Sequence, residues 1–374
     1  MINTFLAAAT TTAPTIAPAT GSLLCLVIFI IFVALVFDFL NGFHDAANAI
    51  ATIVSTRVLS PTQAVLWAAM FDFAAAFLFG TNVAGTIGEK LVDPRFVDVY
   101  VVFGGLVGAI TWNLITWWLA LPTSSSHALV SGIAGAAIAK SGFQVILFKG
   151  WIPLLAFIVF SPVIGFVLGT ALMTAMAWIF RRQHPFKVES WFRRLQLVSS
   201  AVYCLGHGGN DAQKTMGIIV LLLSAAGLRH WGAPDPHSWA NSFNLFSHQH
   251  TVAWWVILSC NGAIAVGILF GGWRIVKTMG SGITRLQPIG GFCAETAAAT
   301  TIISATRFGI PISTTHAITG AILGVGTTKG VRSVRWIWGQ RIVTAWILTI
   351  PCAAFVGAMT YLIVSLTLEP LIGK

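Results

Sequence analysis

The chain has few charged residues. Asp, Glu, Lys and Arg make up 9% of its 374 residues, whereas soluble domains carry about a quarter. It also lacks the alternating strands of about ten residues that are typical of membrane β-barrels. Its five cysteines form no CxxC pair and are scattered through apolar segments, so we interpret them as packing residues rather than as a metal or redox site. These shortages argue against a soluble enzyme.

Hydrophobic residues are abundant, at 56% of the chain. Several apolar runs reach the length of about 20 residues that spans a bilayer as a helix. The sequence therefore predicts an all-α polytopic membrane protein whose constant partner is the lipid bilayer. The runs are Leu23–Leu40, Val99–Ala120, Trp151–Phe180, Val252–Gly272 and Ile342–Leu366.

The net charge of +10 could indicate a nucleic-acid partner, but the basic residues lie in short loops between apolar runs, so we predict none. Three loops, Arg181–Arg194, Arg274–Arg285 and Lys329–Arg341, contain twelve Lys and Arg residues. The other three loops, over 81–98, 140–150 and 229–250, contain five. The positive-inside rule places the first group in the cytoplasm. Both chain termini are then extracytoplasmic.

Each half of the chain is predicted to cross the membrane five times, so the second half begins on the opposite side and is inverted. The runs at 23–56 and 195–228 are too long for one simple helix, and we expect a break in each, which gives about 10–12 transmembrane segments. The predicted divisions are an extracytoplasmic tail (1–22, without the basic start of a signal peptide), a first repeat (23–180), a basic cytoplasmic linker (181–195) and an inverted second repeat (196–374).

Two motif pairs support the duplication, since they occur in the same order in both halves. LPTSSSHALVSG, from Leu121, returns as IPISTTHAITGA, from Ile310, and the two histidines lie 189 residues apart. NGFHDAANAIAT, around Asp45, is matched by GHGGNDAQKTMG, around Asp211, 166 residues later. Inverted repeats with broken or re-entrant helices are typical of secondary transporters, which bind substrate near the midplane.

The hydroxyl motif predicts an anion site. Proline ends the preceding helix, and Ser or Thr caps the next one. The free N–H groups and the positive dipole end of a helix start attract an anion, and the hydroxyls add donors. The alternative is ordinary bonding of Ser and Thr to their own helix backbone, which two symmetric copies make less attractive. The hydroxyl residues are Ser124, Ser125, Ser126, Ser313, Thr314 and Thr315.

The aspartate motif predicts a site for the coupling ion. Carboxylates inside a membrane are costly and are candidates for function, and the neighbouring glycines and amides would supply backbone and side-chain oxygens to a hard cation. Alternatively, a protonated Asp could donate to the anion. Two unscreened carboxylates would repel an anion, so a co-bound cation or proton has to remove the repulsion. That requirement is a symport mechanism.

The motifs GFHDAANA, HGGNDAQK, LPTSSSH and IPISTTH closely resemble the signatures of the inorganic phosphate transporter (PiT) family, in particular its bacterial low-affinity branch, and the resemblance spans both halves. It implies an inverted-repeat symporter that carries inorganic phosphate with a cation across a bacterial-type inner membrane. By matching positions it assigns roles to Asp45, Asn48, Asp211, Ser125, Ser126, Thr314 and Thr315.

The sequence departs from the sodium-coupled pattern NDxxNA in both halves. His44 stands where Asn is usual, and Lys214 matches Asn48. An ammonium can replace the charge of sodium but cannot ligate it, so we favour a proton, or metal–phosphate with a proton, over sodium. The alternative for Lys214 is a side chain that snorkels to an interface. A sodium-driven symporter and a carrier of another oxyanion such as sulfate remain the alternative functions.

We predict a protein without enzyme activity and without a bound cofactor, which co-transports a proton or sodium. Metal ligands and the oligomeric state stay open, with a dimer as one option. The predicted phosphate-binding residues are Ser124, Ser125, Ser126, Ser313, Thr314, Thr315, Asp45 and Asp211. The predicted coupling-ion residues are Asp45, Asn48, Asp211, Gln213, Lys214 and Glu295.

Other polar positions allow two interpretations. Glu295 is favoured as a cation site or proton relay over a structural hydrogen bond, whereas Asp38 and Asp72 are equally open to both. His127 and His316 serve capping and packing at least as well as ligation. The histidines at 230, 237, 248 and 250 suit a solvated loop better than a metal site. An intramembrane hydrolase fits poorly, because Ser126 and His127 are adjacent, and a channel does not explain paired carboxylates beside an anion site.

Overall fold

The computed structural model describes residues 21–233 and 252–367, and every regular element in this part of the chain is a helix. The all-α prediction is therefore confirmed. Short 3₁₀ or π segments lie at 94–96, 143–145, 278–282 and 331–333. The α-helices are α1 (Gly21–Ser55), α2 (Pro61–Leu78), α3 (Asn82–Lys90), α4 (Val99–Trp118), α5 (Ser125–Ser141), α6 (Phe148–Ile179), α7 (Pro185–Ala225), α8 (Arg229–Gly232), α9 (Trp254–Phe270), α10 (Trp273–Lys277), α11 (Pro288–Arg307), α12 (Thr314–Thr327) and α13 (Trp336–Thr367).

Five of these helices, α1, α2, α4, α6 and α13, are long and apolar enough to cross a membrane, and α9 with the bent segment after it makes a sixth candidate. Ten described helices have 14 residues or more, but only five or six of them qualify as membrane spans, so the number of 10–12 transmembrane segments stays a prediction. The long helix α7 carries many polar residues, and α5 and α12 are short. Membrane crossing by length and composition therefore accounts for only part of the bundle.

The helices α5 and α12 begin in the interior of the protein. They contain 17 and 14 residues, or roughly 26 and 21 Å at 1.5 Å per residue, which is less than a hydrocarbon core of about 30 Å. Pro122 and Pro311 precede them in extended chain. Lys140 at the end of α5 pairs with Asp98, which precedes α4, whereas the other end of α4 contacts the basic loop through Arg274 and the carbonyl of Trp118. Two short helices that begin in the interior are what the hydroxyl motifs predict, and their re-entrance into the membrane stays a prediction.

The predicted breaks in the two longest segments are wrong. α1 continues through Asp45, and α7 continues through Asp211. The glycines of these motifs serve helix contacts instead of unwound turns: a Cβ on Gly42 would collide with the backbone of Ile264 on α9, and one on Gly208 would collide with the backbone of Asp72 on α2. No unwound carbonyls face a cation around either aspartate.

The helices of the two halves are interleaved. α5 packs against α4 and α13, while α12 packs against α11 and α6. A Cβ on Gly135 of α5 would collide with the backbone of Ala354, and one on Gly320 of α12 would collide with that of Pro162. Each short helix therefore lies in close contact with the last long helix of the other half.

The basic loops lie on one side of the protein. Arg193 donates to the carbonyl of Arg57 at 2.8 Å, and the N–H of Arg335 donates to the carbonyl of Ile283 at 3.0 Å. The two pairs of loops are joined because a Cβ on Gly280 would lie 3.3 Å from Cβ of Ser55, at the end of α1. From Pro185 onward, the residues of the predicted basic linker over 181–195 belong to α7. We refer to this face as the linker side.

Candidate functional site

The starts of α5 and α12 meet near the centre of the protein. Ser124 and Ser313 are the N-caps, and each hydroxyl accepts the N–H three residues later, from His127 and His316, at 3.2 Å. The two imidazole rings contact each other, with their centroids 4.9 Å apart. The second hydroxyl of each motif therefore stands at the first position of a helix, and the third follows it. All are buried.

Each helix start is joined to the aspartate of its own half. Ser125 donates to Asp45 Oδ2 at 3.0 Å, and Thr314 donates to Asp211 Oδ2 at 3.1 Å. Ser125 also contacts the side-chain oxygen of Asn41. Because a hydroxyl has one proton, Ser125 and Thr314 can donate to an anion only when they release their carboxylates. Binding an anion here and changing the state of the aspartates are thus linked.

The next residue of each hydroxyl motif is joined to the other half. Asn48 Nδ2 donates to Thr315 Oγ1 at 2.8 Å, and Lys214 Nζ donates to Ser126 Oγ at 2.5 Å. Asn48 and Lys214 each follow an aspartate by three residues, so these are equivalent contacts. Ser126 accepts from lysine and keeps its own proton, which makes it a free donor toward an anion.

Lys214 is the charged member of this arrangement. Its side chain is 1% exposed, and Nζ contacts Asp211 Oδ1 at 2.5 Å and the carbonyl of Ile312 at 2.8 Å. These contacts rule out a side chain that snorkels to the membrane surface. A fixed ammonium therefore lies between one aspartate and both helix starts.

His207, to which the sequence motifs assign no role, lies between the two aspartates. Its Nε2 lies 3.3 Å from Asp211 Oδ2 and 4.0 Å from Asp45 Oδ2, and its Nδ1 lies 2.6 Å from Asp72 Oδ1. Ligand atoms of Asp45, His207 and Asp211 all lie within 4.8 Å of one another. The available signal was the spacing, since a residue four positions before Asp211 shares its helix face.

Two predicted coupling-ion residues do not reach this cluster. Gln213 is held elsewhere: its side-chain oxygen accepts from Val83 N at 2.9 Å, and its amide contacts the carbonyl of Gly209. Glu295 forms a separate buried site nearer the linker side, where it accepts from Thr52 at 2.6 Å and from Ser199 at 2.5 Å, and from Gln196 at 3.0 Å.

Three of the histidines in the predicted loop cluster, at 237, 248 and 250, lie outside the described residues, and His230 is exposed. The ring of His316 stacks on Trp346, with centroids 3.7 Å apart. His127 and His316 therefore pack at the helix starts, which agrees with the interpretation of these histidines as capping and packing residues.

The central cluster combines opposite properties. The two helix starts attract an anion, and so do four hydroxyls and one ammonium group. The carboxylates of Asp45 and Asp211 repel it. The attracting side chains are Ser125, Ser126, Thr314, Thr315 and Lys214. Lys214 compensates Asp211, and His207 stands within reach of both carboxylates. Such an arrangement can hold an oxyanion together with a positive charge, and it is almost fully removed from solvent.

A model of the phosphate transporter family matches residues 41–357, which include every residue of this cluster. Curated relatives are similar over nearly their whole length. The chain is 53% identical to a probable low-affinity inorganic phosphate transporter of Rhizobium meliloti, over 90% of this chain and 96% of the relative. It is 42% identical to a protein of the same description from Bacillus subtilis, over 92% and 98%.

A solved structure described as the sodium-dependent phosphate transporter has the same fold. The TM-score is 0.81, and the match covers 92% of this chain and all of the other at 24% sequence identity. At this identity the likeness concerns the fold alone, so the sodium dependence in that description applies to the other protein.

Proposed function

Since the chain belongs to the phosphate transporter family and is a multi-pass membrane protein, a transporter rather than an enzyme, we propose that it takes up inorganic phosphate by cation-coupled symport. The phosphate would lie between the starts of α5 and α12. The observation that carries this proposal is the matched pair of contacts by which Ser125 and Thr314 join the two helix starts to Asp45 and Asp211.

The same contacts give a coupling mechanism. When the hydroxyls turn from the carboxylates to phosphate, each aspartate loses a hydrogen bond and faces an anion. A proton or cation that joins Asp45 or Asp211 removes that repulsion, so phosphate binds well only with its coupling ion. Transport follows if the cluster can open to either side of the membrane when it holds both phosphate and the coupling ion, and cannot do so when it holds phosphate alone.

The coupling ion we favour is the proton. In the second half Lys214 already occupies the position from which an amide would ligate a metal ion, and it neutralises Asp211 without any bound ion. In the first half Asn48 donates its amide N–H₂ to Thr315 and keeps its oxygen. The two half-sites are therefore unequal, and at most one of them, at Asp45 and Asn48, suits sodium.

Metal–phosphate is a second form of the substrate. The cluster of Asp45, His207 and Asp211 offers two carboxylates and an imidazole within 4.8 Å, a donor set that suits divalent transition metals. Here the metal would be cargo. Sulfate and other tetrahedral oxyanions share the shape of phosphate, and competition for uptake distinguishes them.

The topology extends the proposal. The two halves are inverted repeats, the linker side faces the cytoplasm of a bacterial-type inner membrane, and both termini lie outside. Two observations support this arrangement: the end of α5 pairs with Asp98, whereas the end of α12, at Gly326, packs against Thr284 and Val334 of the basic loops.

Uptake into proteoliposomes tests the proposal, with a pH gradient and a sodium gradient imposed separately. We expect labelled phosphate to accumulate above its electrochemical equilibrium when the inside is alkaline, and excess unlabelled phosphate to compete better than sulfate. Movement that only reaches equilibrium under every gradient would indicate a channel. Stronger competition by sulfate would assign another oxyanion.

A further inference from the structure

The helices α1 and α7 form a polar contact line through the whole bundle. On α1, Asp38, Asp45 and Thr52 are spaced by seven residues and so share one face. On the antiparallel α7, Thr215, the central cluster and Ser199 follow in the opposite order. The central cluster thus has a buried carboxylate on each side of it, Glu295 toward the linker side and Asp38 toward the side where α1 begins.

Asp38 makes none of the contacts of the central cluster around Asp45 and Asp211. It is completely buried, and its Oδ1 accepts from Thr215 at 2.5 Å. Its second oxygen, Oδ2, is buried and has no hydrogen-bond partner among the described residues. The titratable or charged groups that act on it are Asp211 and Lys214 on α7 and Cys260 on α9.

A purely structural role explains these features poorly. A hydrogen bond between α1 and α7 could be made by Ser or Asn without a carboxylate, whose placement in a membrane helix is costly. The position that matches Asp38 in the second half, seven residues before Asp211, is Cys204. The matching position thus carries no carboxylate, and the buried Oδ2 of Asp38 has no hydrogen-bond partner among the described residues, so it is open to a proton.

Asp38 is also linked to the central cluster. Thr215, its partner, follows Asp211 by four residues and lies on the same face of α7, so the two side chains are neighbours separated by one helical turn, about 5–6 Å between Cβ atoms. Around Asp38, the described residues offer the carboxylate, the Thr215 hydroxyl and the Cys260 thiol. This is too small a set for a metal ion but sufficient for a proton.

We propose that Asp38, with Thr215, is a transient proton site on the path between the side where α1 begins and the aspartate cluster. A proton adds to Oδ2 and gives a neutral carboxyl; it then passes to the cluster, which restores the carboxylate of Asp38. This inference rests on the proposed function, because it assigns a route to the ion that drives phosphate uptake. Glu295, on the other side of the cluster, stands in the corresponding place on the exit side.

Two transport modes measured on the same proteoliposomes test this site. Net phosphate uptake under a pH gradient requires a proton to enter and leave on every cycle, whereas phosphate–phosphate exchange at equal pH lets the loaded cluster return without releasing its proton. We expect Asp38→Asn to slow net uptake about tenfold or more, equivalent to about 1.4 kcal/mol in the barrier, and exchange to stay within about twofold. Asp38→Glu should recover net uptake.

The other possible results would overturn either the proton site at Asp38 or the proposed phosphate transport. Net uptake by Asp38→Asn at the wild-type rate would overturn the proton site. An equal loss of net uptake and of phosphate–phosphate exchange would also overturn it, because that outcome is expected if the contact with Thr215 is only structural. If Asp38→Asn does not fold, Asp38→Glu and Thr215→Val still test the proton site. Both variants should shift the pH at which net uptake is half-maximal. Unchanged pH profiles would overturn the site. Wild-type protein that transports phosphate in neither mode would instead overturn the proposed function.

Discussion

At the scale of single residues, the two halves of the site differ in charge although their contacts match. Asp45 and Asp211 each accept a hydroxyl from the nearest helix start. Beside Asp45 the residue three positions later is a neutral amide, whereas beside Asp211 it is the ammonium of Lys214. A carboxylate paired with a fixed cation has less need of a mobile one, so Asp45 is the better candidate for the group that senses the coupling ion.

Replacing Asp45 with Asn keeps the shape of the side chain and removes its charge. We expect Asp45→Asn to reduce concentrative phosphate uptake to background while the thermal unfolding midpoint in detergent changes little. Asp211→Asn should also stop uptake, but it leaves Lys214 buried without its counter-charge, which costs about 3–5 kcal/mol. Accumulation at the wild-type rate by either variant would show that its carboxylate has no part in coupling.

The pairing of Lys214 with Asp211 can be measured separately from transport. Lys214→Met and Asp211→Asn should each lower the unfolding midpoint, because each leaves one buried charge alone. The double variant should be more stable than either single one, since it contains neither charge, yet it should not transport. Lys214→Arg, which keeps the charge, is the control. Additive losses of stability in the double variant would contradict a direct interaction.

At the scale of secondary structure, the sequence predicted the short helices well and the long ones poorly. Pro122 and Pro311, followed by capping serines, are local signals, and local signals determine where α5 and α12 begin. The glycines around Asp45 and Asp211 look like helix breaks in a sequence, but they allow contact with backbone at Ile264 and Asp72. That contact is distant in the chain, so no local pattern could reveal it.

The candidate site shows the same division. The paired motifs supplied the hydroxyls, both aspartates, Asn48 and Lys214, because each of these is repeated at a fixed spacing. His207 has no repeated partner, since Asn41 stands at the matching position of the first half. Its meaning comes from Asp72 on another helix, and which helix packs on α7 is decided by the tertiary structure. Gln213 lies two residues after Asp211, but its side-chain oxygen is held by Val83 N.

The helix starts of α5 and α12 lead to a prediction about affinity. Ser126→Ala and Thr315→Ala should each weaken phosphate binding by about 1–3 kcal/mol, or roughly 5- to 150-fold in Kd, because a charge-assisted donor is lost. Ser131→Ala is the matched control: its hydroxyl bonds to the backbone of α5 itself, away from the helix start. Isothermal titration measures all three. An unchanged Kd in both helix-start variants would remove these hydroxyls from the binding site.

The contact between α1 and α9 leads to a prediction about stability. Gly42→Ala places a methyl group against the backbone of Ile264, and overpacking of this kind costs about 1–3 kcal/mol. Gly85→Ala is the control, because no atom lies within 4 Å of the added Cβ and alanine favours a helix over glycine. The thermal unfolding midpoint should fall for Gly42→Ala alone. Equal midpoints would mean that α1 is not in close contact at Gly42.

At the scale of the whole molecule, the interleaved halves make the site a shared property of both. Each hydroxyl motif contacts an aspartate of its own half and an Asn or Lys of the other. A movement of one half against the other can leave the contacts within each half intact, but it changes those between the halves, Lys214 with Ser126 and Asn48 with Thr315. Alternating access needs such a link between the global conformation and the central charges, so that an unbalanced cluster resists the change.

The identity of the coupling ion is a property of this whole arrangement, because it depends on how many positive charges the loaded cluster already contains. Lys214 supplies one, and the free oxygen of Asn48 leaves at most one sodium ligand set, at Asp45. We therefore expect the initial rate of phosphate uptake at fixed pH to remain largely unchanged when choline replaces sodium, and to rise with an inward proton gradient. Loss of most activity in choline would show that sodium drives the cycle. The site at Asp45 and Asn48 would then be a sodium site, with Lys214 serving only to neutralise Asp211.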